Sequence, residues 1–238
     1  MSLSIPMADI IAPMRRLLPD PVDEITVAEA YGVERPRPSD RPWVGLCMVS
    51  GLDGSTVVDV FAVSITRSLS SPTDTEVLLG LRQLADLLLV GASTVRIEGY
   101  GPPRKPGQRL GVVSRRGADL DFDGPLFASG AAFVVCPEDA PELPVPTVRA
   151  GIGEVDFRGV LAQLEVDYVQ AEGGSVLNAA LAAADVLDEL DLTISPVLSG
   201  GDGPRLTTGA PPLLHRMRLA HLCEDDGFLF TRYVRVRG

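Results

Sequence analysis

The stretch "VQAEGGSVLNAA" at residues 169–180 joins an apolar run to an Ala- and Leu-rich run through one acid and two glycines. Glycine weakens the interior of a helix or strand, so adjacent glycines mark a point where the backbone bends or a ligand comes close. A helix that starts directly after such a pair points its first N–H groups at the space beyond the sheet edge. The stretch therefore predicts a strand over 167–172, a helix over 175–186 and an anion site between them. A tight connection without any ligand is the alternative.

Apolar runs and helical patterns alternate along most of the remaining chain. Buried strands are predicted at 43–50, 86–91, 109–114, 131–136 and 145–150, and longer strands at 188–200 and 227–237. Helices are predicted at 157–166 and at 73–85, the latter with Thr73 or Asp74 as its N-cap. This alternation is typical of one α/β domain with a mostly parallel sheet, and the polar–apolar alternation of the last strand favours an antiparallel, half-exposed edge.

The first 40 residues differ from this pattern. A short amphipathic helix is predicted around 10–18, and the Pro- and charge-rich stretch after it is predicted to add nothing to the core. The chain is therefore divided into an appendage at 1–40 and a main domain at 41–238. No basic start followed by an apolar block is present, so a mature cytoplasmic protein is expected.

The charge and composition of the chain argue against several classes of binding partner. With 32 acidic and 21 basic residues the chain has a net charge of −11, which argues against nucleic acid or an anionic membrane as a partner. No run approaches the roughly 20 apolar residues of a membrane span. Three isolated cysteines in apolar surroundings are expected to be buried thiols, and two histidines six residues apart give no reason to expect a metal. A small-molecule ligand is the remaining expectation.

Two further strand ends carry residues suited to a phosphate-bearing ligand. "LLLVGASTVR" places small residues, including Thr94, after a strand, although capping alone would explain a hydroxyl there and the G-x-G-x-x-G spacing is absent. Ser114, Arg115 and Arg116 follow another strand, and two guanidiniums beside a hydroxyl suit a phosphate monoester such as the 2′-phosphate of NADP. A solvated turn is the alternative for this pair of arginines.

Acidic and basic side chains around these ends suggest a second ligand. A carboxylate beside a phosphate site would repel the phosphate, so Glu172 is expected to face an amine or a ring N–H. Arg82, Arg104 and Lys105 are candidate partners for a phosphate on that ligand, although Arg82 on its predicted helix could also be a surface ion-pair residue. Asp53, in an "LDG" stretch, could equally be a plain turn residue.

Taken in order, these motifs resemble the reductase domain of the bacterial riboflavin deaminase–reductase family. The resemblance rests on S-x-x-D-G after the first strand, on "LSSPTDTEVLLGLRQLADLLLVGASTVR", and on "VQAEGGSVLNAAL" followed by "DELDLTISPVLSGGDGP", and it covers roughly residues 41–237. It implies a dihydrofolate-reductase-like fold, a homodimer, and NADPH-dependent reduction of a phosphoribosylamino-pyrimidine, with hydride going to C1′ of the ring-opened sugar. The zinc deaminase half of the bifunctional family members has no counterpart in this sequence, so a stand-alone reductase is expected.

The residue patterns and the resemblance together give three sets of candidate site residues. The cofactor set, for NADPH, consists of Met48, Thr94, Ser114, Arg115, Arg116, Gly173, Gly174, Ser175, Val176 and Leu177. The substrate set consists of Ser50, Arg82, Arg104, Lys105 and Glu172. The carboxylates expected near the reacting carbon are Asp53, Glu98 and Glu172. No metal is expected.

One segment departs from the family pattern. The run "DVFAVSITRSL" at 59–69 is more apolar than the short Gly- and Ser-rich segment that the family usually has there. The resemblance therefore predicts the substrate pocket less well than the cofactor site. Two other functions therefore stay open at the level of sequence. One is a dihydrofolate-reductase-like enzyme acting on a pteridine, and the other is a non-catalytic NADP-binding protein.

Overall fold

The computed structural model of the chain describes residues 14–60, 63–65, 69–117 and 120–237. The strands are β1 Met14–Leu18, β2 Val22–Ile25, β3 Trp43–Ser50, β4 Val58–Val60, β5 Val63–Ile65, β6 Leu87–Gly91, β7 Arg109–Val113, β8 Ala132–Cys136, β9 Thr147–Arg149, β10 Tyr168–Ala171, β11 Glu189–Ile194, β12 Met217–Asp225 and β13 Phe228–Arg235. The helices are α1 Val27–Tyr31, α2 Pro72–Leu84, α3 Ala92–Glu98, α4 Pro125–Ala128, α5 Phe157–Ala162 and α6 Ser175–Ala183. No helix in these ranges is long and apolar enough to cross a bilayer.

Within the described residues, eleven strands form one sheet in the order β2-β1-β12-β13-β11-β3-β10-β6-β7-β8-β9, and β4 and β5 form a second, two-stranded sheet. The seven strands from β11 to β9 run parallel to one another, whereas β13 pairs antiparallel with β11 and β12, and β1 pairs antiparallel with β12 and β2. The prediction of a mostly parallel α/β sheet with an antiparallel side is confirmed.

The central strands are apolar on both faces because both faces are covered. On β6, Leu87 and Leu89 pack into a cluster with Val169, while Leu88 and Val90 pack into a second cluster on the opposite face. A strand buried on both faces reads as a continuous apolar run, which is why β6 and its parallel neighbours can be located from sequence.

The N-terminal segment is different from its prediction. Residues 14–18 form strand β1 instead of a helix, and β1 pairs with β12, a strand that was not predicted. Met14, Ile25 and Tyr31 are buried in a cluster with Phe230. The expectation that this segment adds nothing to the core is therefore wrong for its described part.

The last strand does not lie at an edge. β13 is antiparallel and partly exposed, as predicted, but it sits between β12 and β11, so it is not the outermost strand of the antiparallel side. β12 and β13 form a hairpin whose turn residues Asp226 and Gly227 have φ of 48° and 81°. Such angles at both turn positions suit the Asp-Gly pair, which is a strong hairpin signal.

Element boundaries shift for local reasons. Helix α2 begins after Ser71, whose hydroxyl accepts a hydrogen bond from the backbone N–H of Asp74, so the N-cap is Ser71 and not Thr73 or Asp74. Strand β11 ends at Ile194, short of the predicted 200 and just before Pro196. Cys47, Cys136 and Cys223 are free and buried, as predicted. The side chains of the 59–69 run before Leu69 lie outside the described residues.

Two buried carboxylates at β11 have opposite surroundings. Asp188 accepts two hydrogen bonds from the Arg41 guanidinium, at 2.6 and 2.9 Å, and further ones from Arg237 and from the N–H of Val44. Asp191 is 2% exposed, and neither of its carboxylate oxygens has a hydrogen-bond partner in the described part of the chain. Burial, with a smaller contribution from the charge of Glu189, raises the pKa of Asp191 well above its usual range.

Asp191→Asn is expected to stabilise the protein at neutral pH, whereas Asp188→Asn is expected to destabilise it by about 3–5 kcal/mol, because the latter leaves Arg41 buried without its partner. A raised pKa means that the contribution of Asp191 to stability is present below pH about 4 and is lost as the pH rises. Urea unfolding of wild type and both variants between pH 4.5 and 8 should therefore show a flatter pH dependence for Asp191→Asn. A loss of stability in Asp191→Asn at pH 8 similar to that of Asp188→Asn would contradict this assignment.

Candidate active site

The candidate site lies at the edge of the sheet where the parallel strands have their carboxyl ends. β10 is inserted between β3 and β6, although it follows both by a long stretch of sequence. Ligands of open α/β sheets bind at such a point, where the strand order is interrupted. The residues directly after β10 are Glu172, Gly173 and Gly174, the acid and glycines of the stretch at 169–180.

Both glycines after β10 are required by conformation and by space. Gly173 and Gly174 have φ of 94° and 89°, values that side chains with a Cβ rarely adopt. A Cβ on Gly173 would lie 2.7 Å from Met48 Sδ, and one on Gly174 would lie 3.0 Å from Thr94 Oγ1. The structure therefore brings the predicted cofactor residues Met48 and Thr94 against this loop.

Helix α6 starts at the second glycine with its first turn open. Its N-cap, Gly174, provides no side-chain hydrogen bond to the helix. The side chain of Val176 is 74% exposed, whereas Leu177 is buried in the core. Of the predicted residues in this turn, Leu177 can reach a ligand only through its backbone. Uncapped N–H groups and the helix dipole together suit a bound anion.

A separate cleft of about 650 Å³ lies at the ends of β7 and β8. Its lining consists of Ser114, Arg115, Arg116, Pro137, Asp139, Ala140, Pro141 and Gly153. Arg115 and Arg116 are exposed, and neither belongs to an ion pair recorded within the described ranges. Ser114 Oγ accepts a hydrogen bond from Gly117 N–H at 2.9 Å and keeps its own proton to donate.

The cleft and the glycine loop are separated by two to three strand spacings, which is roughly 10–15 Å. An extended ligand with two separate phosphate groups could therefore bridge them along the sheet edge.

Arg82 and Glu172 form a two-point ion pair at the same edge. Arg82 Nε and Nη2 each donate to one oxygen of Glu172, both at 2.6 Å. The Glu172 side chain is 2% exposed and that of Arg82 is 28% exposed. Burial works to lower the pKa of Arg82, but the Glu172 carboxylate outweighs it and raises that pKa above its ordinary value. Both predicted substrate residues are thus brought together as a charged pair.

The end of α2 that carries Arg82 is held by the loop before β7. Gln108 Nε2 donates to the carbonyl oxygens of Arg82 and Ala85, both at 2.7 Å, and Lys105 Nζ donates to that of Ala85 at 2.8 Å. Lys105, predicted to bind substrate, is therefore a helix-capping residue in this structure. Arg104, in the same loop, is exposed.

Asp53 is fully occupied by a loop contact. Its carboxylate accepts hydrogen bonds from the N–H groups of Ser55 and Gly200, at 3.2 and 2.8 Å, and from the hydroxyl of Ser199. Desolvation works to raise the pKa of Asp53, but the hydrogen bonds from Gly200 and Ser55 outweigh it and lower the pKa. Asp53 thus fixes the turn after β3 to residues 199–200, and its predicted role near the reacting carbon stays a prediction.

The other two predicted residues have less specific surroundings. Ser50 ends β3 and is buried, and its carbonyl accepts a hydrogen bond from Ser195 N–H at 2.8 Å. Glu98 is the exposed last residue of α3, and its charge contributes to the raised pKa of Tyr100. Their predicted substrate and catalytic roles stay predictions.

Tyr100 is a site residue that the sequence reasoning missed. Its hydroxyl donates to Glu172 Oε2 at 3.0 Å, and its ring centroid lies 5.3 Å from the Arg82 guanidinium carbon. Burial, followed by the negative charge of Glu172, raises the pKa of Tyr100 well above its ordinary value. The available signal was a single aromatic residue within the Gly- and Pro-rich run "EGYGPP" directly after a helix.

The chain is similar to known proteins in both sequence and fold. The family model of the RibD C-terminal domain matches residues 42–229. A pyrimidine reductase-like protein from Corynebacterium diphtheriae is 21% identical, with a TM-score of 0.68 over 84% of this chain and 94% of its own. The riboflavin biosynthesis reductase Rib7 of Saccharomyces cerevisiae is 19% identical, with a TM-score of 0.67 over 85% of this chain and 93% of its own. No curated protein sequence matches the chain.

Larger proteins contain the same fold as one part. RibD of Acinetobacter baumannii is 16% identical, with a TM-score of 0.69 over 84% of this chain, and the chain spans 59% of its length. At such identities the structural likeness establishes the fold, and the family follows from the model that matches about four fifths of the sequence. The chain belongs to the RibD C-terminal domain family, and it is an oxidoreductase of the riboflavin-biosynthesis type.

Proposed function

We propose that the protein is an NADPH-dependent reductase of a phosphoribosylamino-pyrimidine of the 5-amino-6-(5-phosphoribosylamino)uracil type, with hydride going to C1′ of the ring-opened ribose. The observation that carries the proposal is the Arg82–Glu172 pair, which lies next to the loop of Gly173 and Gly174. This loop suits a cofactor phosphate, and the pair offers an acceptor and a cation to a second ligand that has both N–H groups and a phosphate.

The residues present fit NADPH. The uncapped first turn of α6 would hold the pyrophosphate, and Gly173 and Gly174 leave the space that a Cβ would fill. Arg115 and Arg116 in the cleft would hold the 2′-phosphate. When bound, NADPH supplies the hydride, so the protein's part is binding and orientation.

The chain's own residues would orient and polarise the substrate. Glu172 would accept a hydrogen bond from a ring N–H or an amine, and its negative charge would favour a protonated imine, the form that accepts hydride best. Arg82, held ionised by Glu172, would face an anionic group of the substrate. Glu98 and Asp53 remain candidates for the carboxylate nearest the reacting carbon.

The test of this function is NADPH oxidation followed by absorbance, with purified protein offered 5-amino-6-(5-phosphoribosylamino)uracil or dihydrofolate. Oxidation with the uracil compound alone is the expected result. A preference for dihydrofolate would assign the enzyme to pteridine chemistry instead. NADPH binding with no oxidation of either substrate would support a non-catalytic NADP-binding protein and overturn the proposal.

Arg115→Ala and Arg116→Ala are each expected to raise the Kd of NADPH by about 10- to 100-fold and to change that of NADH much less. A charge-assisted hydrogen bond to a phosphate contributes about 1.5–3 kcal/mol, and only NADPH carries the 2′-phosphate. Calorimetric titration of both cofactors measures this difference. Arg96→Ala, which removes another exposed arginine outside the cleft, is the control. Equal losses for NADPH and NADH would place the 2′-phosphate elsewhere.

We also propose a cytoplasmic homodimer, as the resemblance to the reductase family implies. Because β13 lies inside the sheet, it has no free edge for pairing between two subunits. The dimer would therefore have to use another surface. Light scattering of the purified protein measures the assembly state directly.

A further inference from the structure

Tyr100 contacts both members of the Arg82–Glu172 pair, although it is not among the predicted site residues. It follows Gly99, which ends α3 in the left-handed region at φ 68°, and its N–H lies 3.4 Å from the carbonyl oxygen of Val95. Its ring packs against the apolar cluster beneath α3. The side chain is therefore held from both ends, by its packing and by its hydroxyl.

The hydroxyl of Tyr100 remains a donor over the whole working pH range. Burial raises its pKa well above the ordinary tyrosine value, and the negative charge of Glu172 adds to this effect. A neutral phenol next to a carboxylate can only donate, so the proton of this contact points at Glu172 Oε2.

The hydrogen bonds at Glu172 leave its two oxygens unequal. Within the described residues, Oε2 accepts from Arg82 Nη2 at 2.6 Å and from Tyr100 at 3.0 Å, whereas Oε1 accepts only from Arg82 Nε, at 2.6 Å. Each carboxylate oxygen has about two acceptor directions. Oε2 is thus filled, and one direction remains on Oε1. Without the phenol, the carboxylate would offer one open direction on each oxygen.

We propose that Tyr100 is a positioning residue that directs the substrate N–H to Oε1 of Glu172, an inference that rests on the proposed function. Tyr100 acts through Glu172, and the proposal gives it no role in cofactor binding. Arg82 alone cannot set this preference, because its two bonds to the carboxylate are equivalent in length. The phenol is the group that breaks the symmetry.

Tyr100→Phe tests the proposal, since it removes the hydroxyl and keeps the ring beside Arg82. We expect the KM for 5-amino-6-(5-phosphoribosylamino)uracil to rise about tenfold or more, as for a lost hydrogen bond to a charged group, and kcat to change less than about threefold. The Kd of NADPH is expected to stay at the wild-type value, and the Tm is expected to fall only by the amount that the loss of one hydrogen bond explains. Tyr233→Phe, on β13, is the matched control and is expected to leave all four quantities unchanged.

Two results would overturn the assignment. One is a wild-type KM in Tyr100→Phe. The other is a large and parallel loss of substrate affinity, NADPH affinity and Tm, which would mean that Tyr100 supports the fold in general and not Glu172 in particular.

A second measurement does not depend on turnover. Urea unfolding of Tyr100→Phe, Glu172→Met and the double variant is expected to be non-additive, because both single changes remove the same contact. Additive effects would overturn the proposal. If the wild-type protein does not oxidise NADPH with the uracil compound, the proposed function fails, while this cycle still decides whether the phenol holds Glu172.

Discussion

Glu172→Gln is expected to lower kcat/KM for the phosphoribosylamino-pyrimidine by about 100- to 1000-fold. The side chain is almost fully buried and holds the Arg82 guanidinium by two hydrogen bonds of 2.6 Å. An amide cannot accept both of these bonds, and it lacks the charge that compensates Arg82. Removing one partner of a desolvated charge pair costs about 2–5 kcal/mol, which corresponds to about 30- to 5000-fold and includes the expected loss of activity.

The same variant releases Arg82 toward other anions. Inorganic phosphate is therefore expected to inhibit Glu172→Gln more strongly than it inhibits the wild type, even though turnover is much lower. Steady-state kinetics with phosphate as the inhibitor, together with the Kd of NADPH, give both quantities. Glu165→Gln, an exposed glutamate just before β10, is the control. Unchanged kcat/KM in Glu172→Gln would remove Glu172 from the substrate site.

Gly174→Ala is expected to raise the Kd of NADPH by at least about 100-fold. A side chain there has to adopt a φ of 89°, which strains the backbone by about 1–3 kcal/mol, and its Cβ would lie 3.0 Å from Thr94 Oγ1. The loop is expected to move and so relieve the backbone strain and the close contact with Thr94. That movement would turn the first N–H groups of α6 away from the pyrophosphate.

Gly130→Ala is the control that separates the effect of backbone strain from an effect on NADPH binding. Gly130 also has a positive φ, 75°, but a Cβ there meets no atom within 4 Å, and it lies in the turn before β8. It is expected to lower the Tm slightly without affecting the Kd of NADPH. Calorimetric titration of both variants makes the comparison. If Gly174→Ala binds NADPH as the wild type does, the glycine loop does not hold the pyrophosphate.

The parallel half of the sheet could be predicted because its strands are buried on both faces. The strand predicted at 43–50 coincides with β3, and the one predicted at 86–91 differs from β6 by one residue. The antiparallel half was harder to predict. β12 has an irregular register between Leu219 and His221, which interrupts the alternation by which a half-exposed strand is identified. Without β12 as an evident partner, the apolar residues of β1 fit a short amphipathic helix equally well.

At the site, the sequence predicted which residues would come close to the glycine loop but not how their bonds are arranged. Met48 and Thr94 were identified from strand ends and from the family resemblance, and both contact the loop. The ion pair of Arg82 and Glu172 and the contact of Tyr100 depend on side-chain directions, which spacing along the chain does not determine. The role of Lys105 could not be predicted for the same reason. Its ammonium group caps α2 by donating to the carbonyl oxygen of Ala85, which no sequence motif identifies.

The position of β10 has a consequence for how the protein folds. Its two neighbours in the sheet, β3 and β6, lie about 125 and about 80 residues earlier in the chain. Contacts between such distant segments form slowly, because a long loop must close before they stabilise anything. During synthesis the glycine loop after β10 therefore cannot assemble until most of the chain has been made. A ligand that binds only the assembled loop would also clamp the strand that closes the sheet, so NADPH is expected to slow global unfolding and not merely to order one loop.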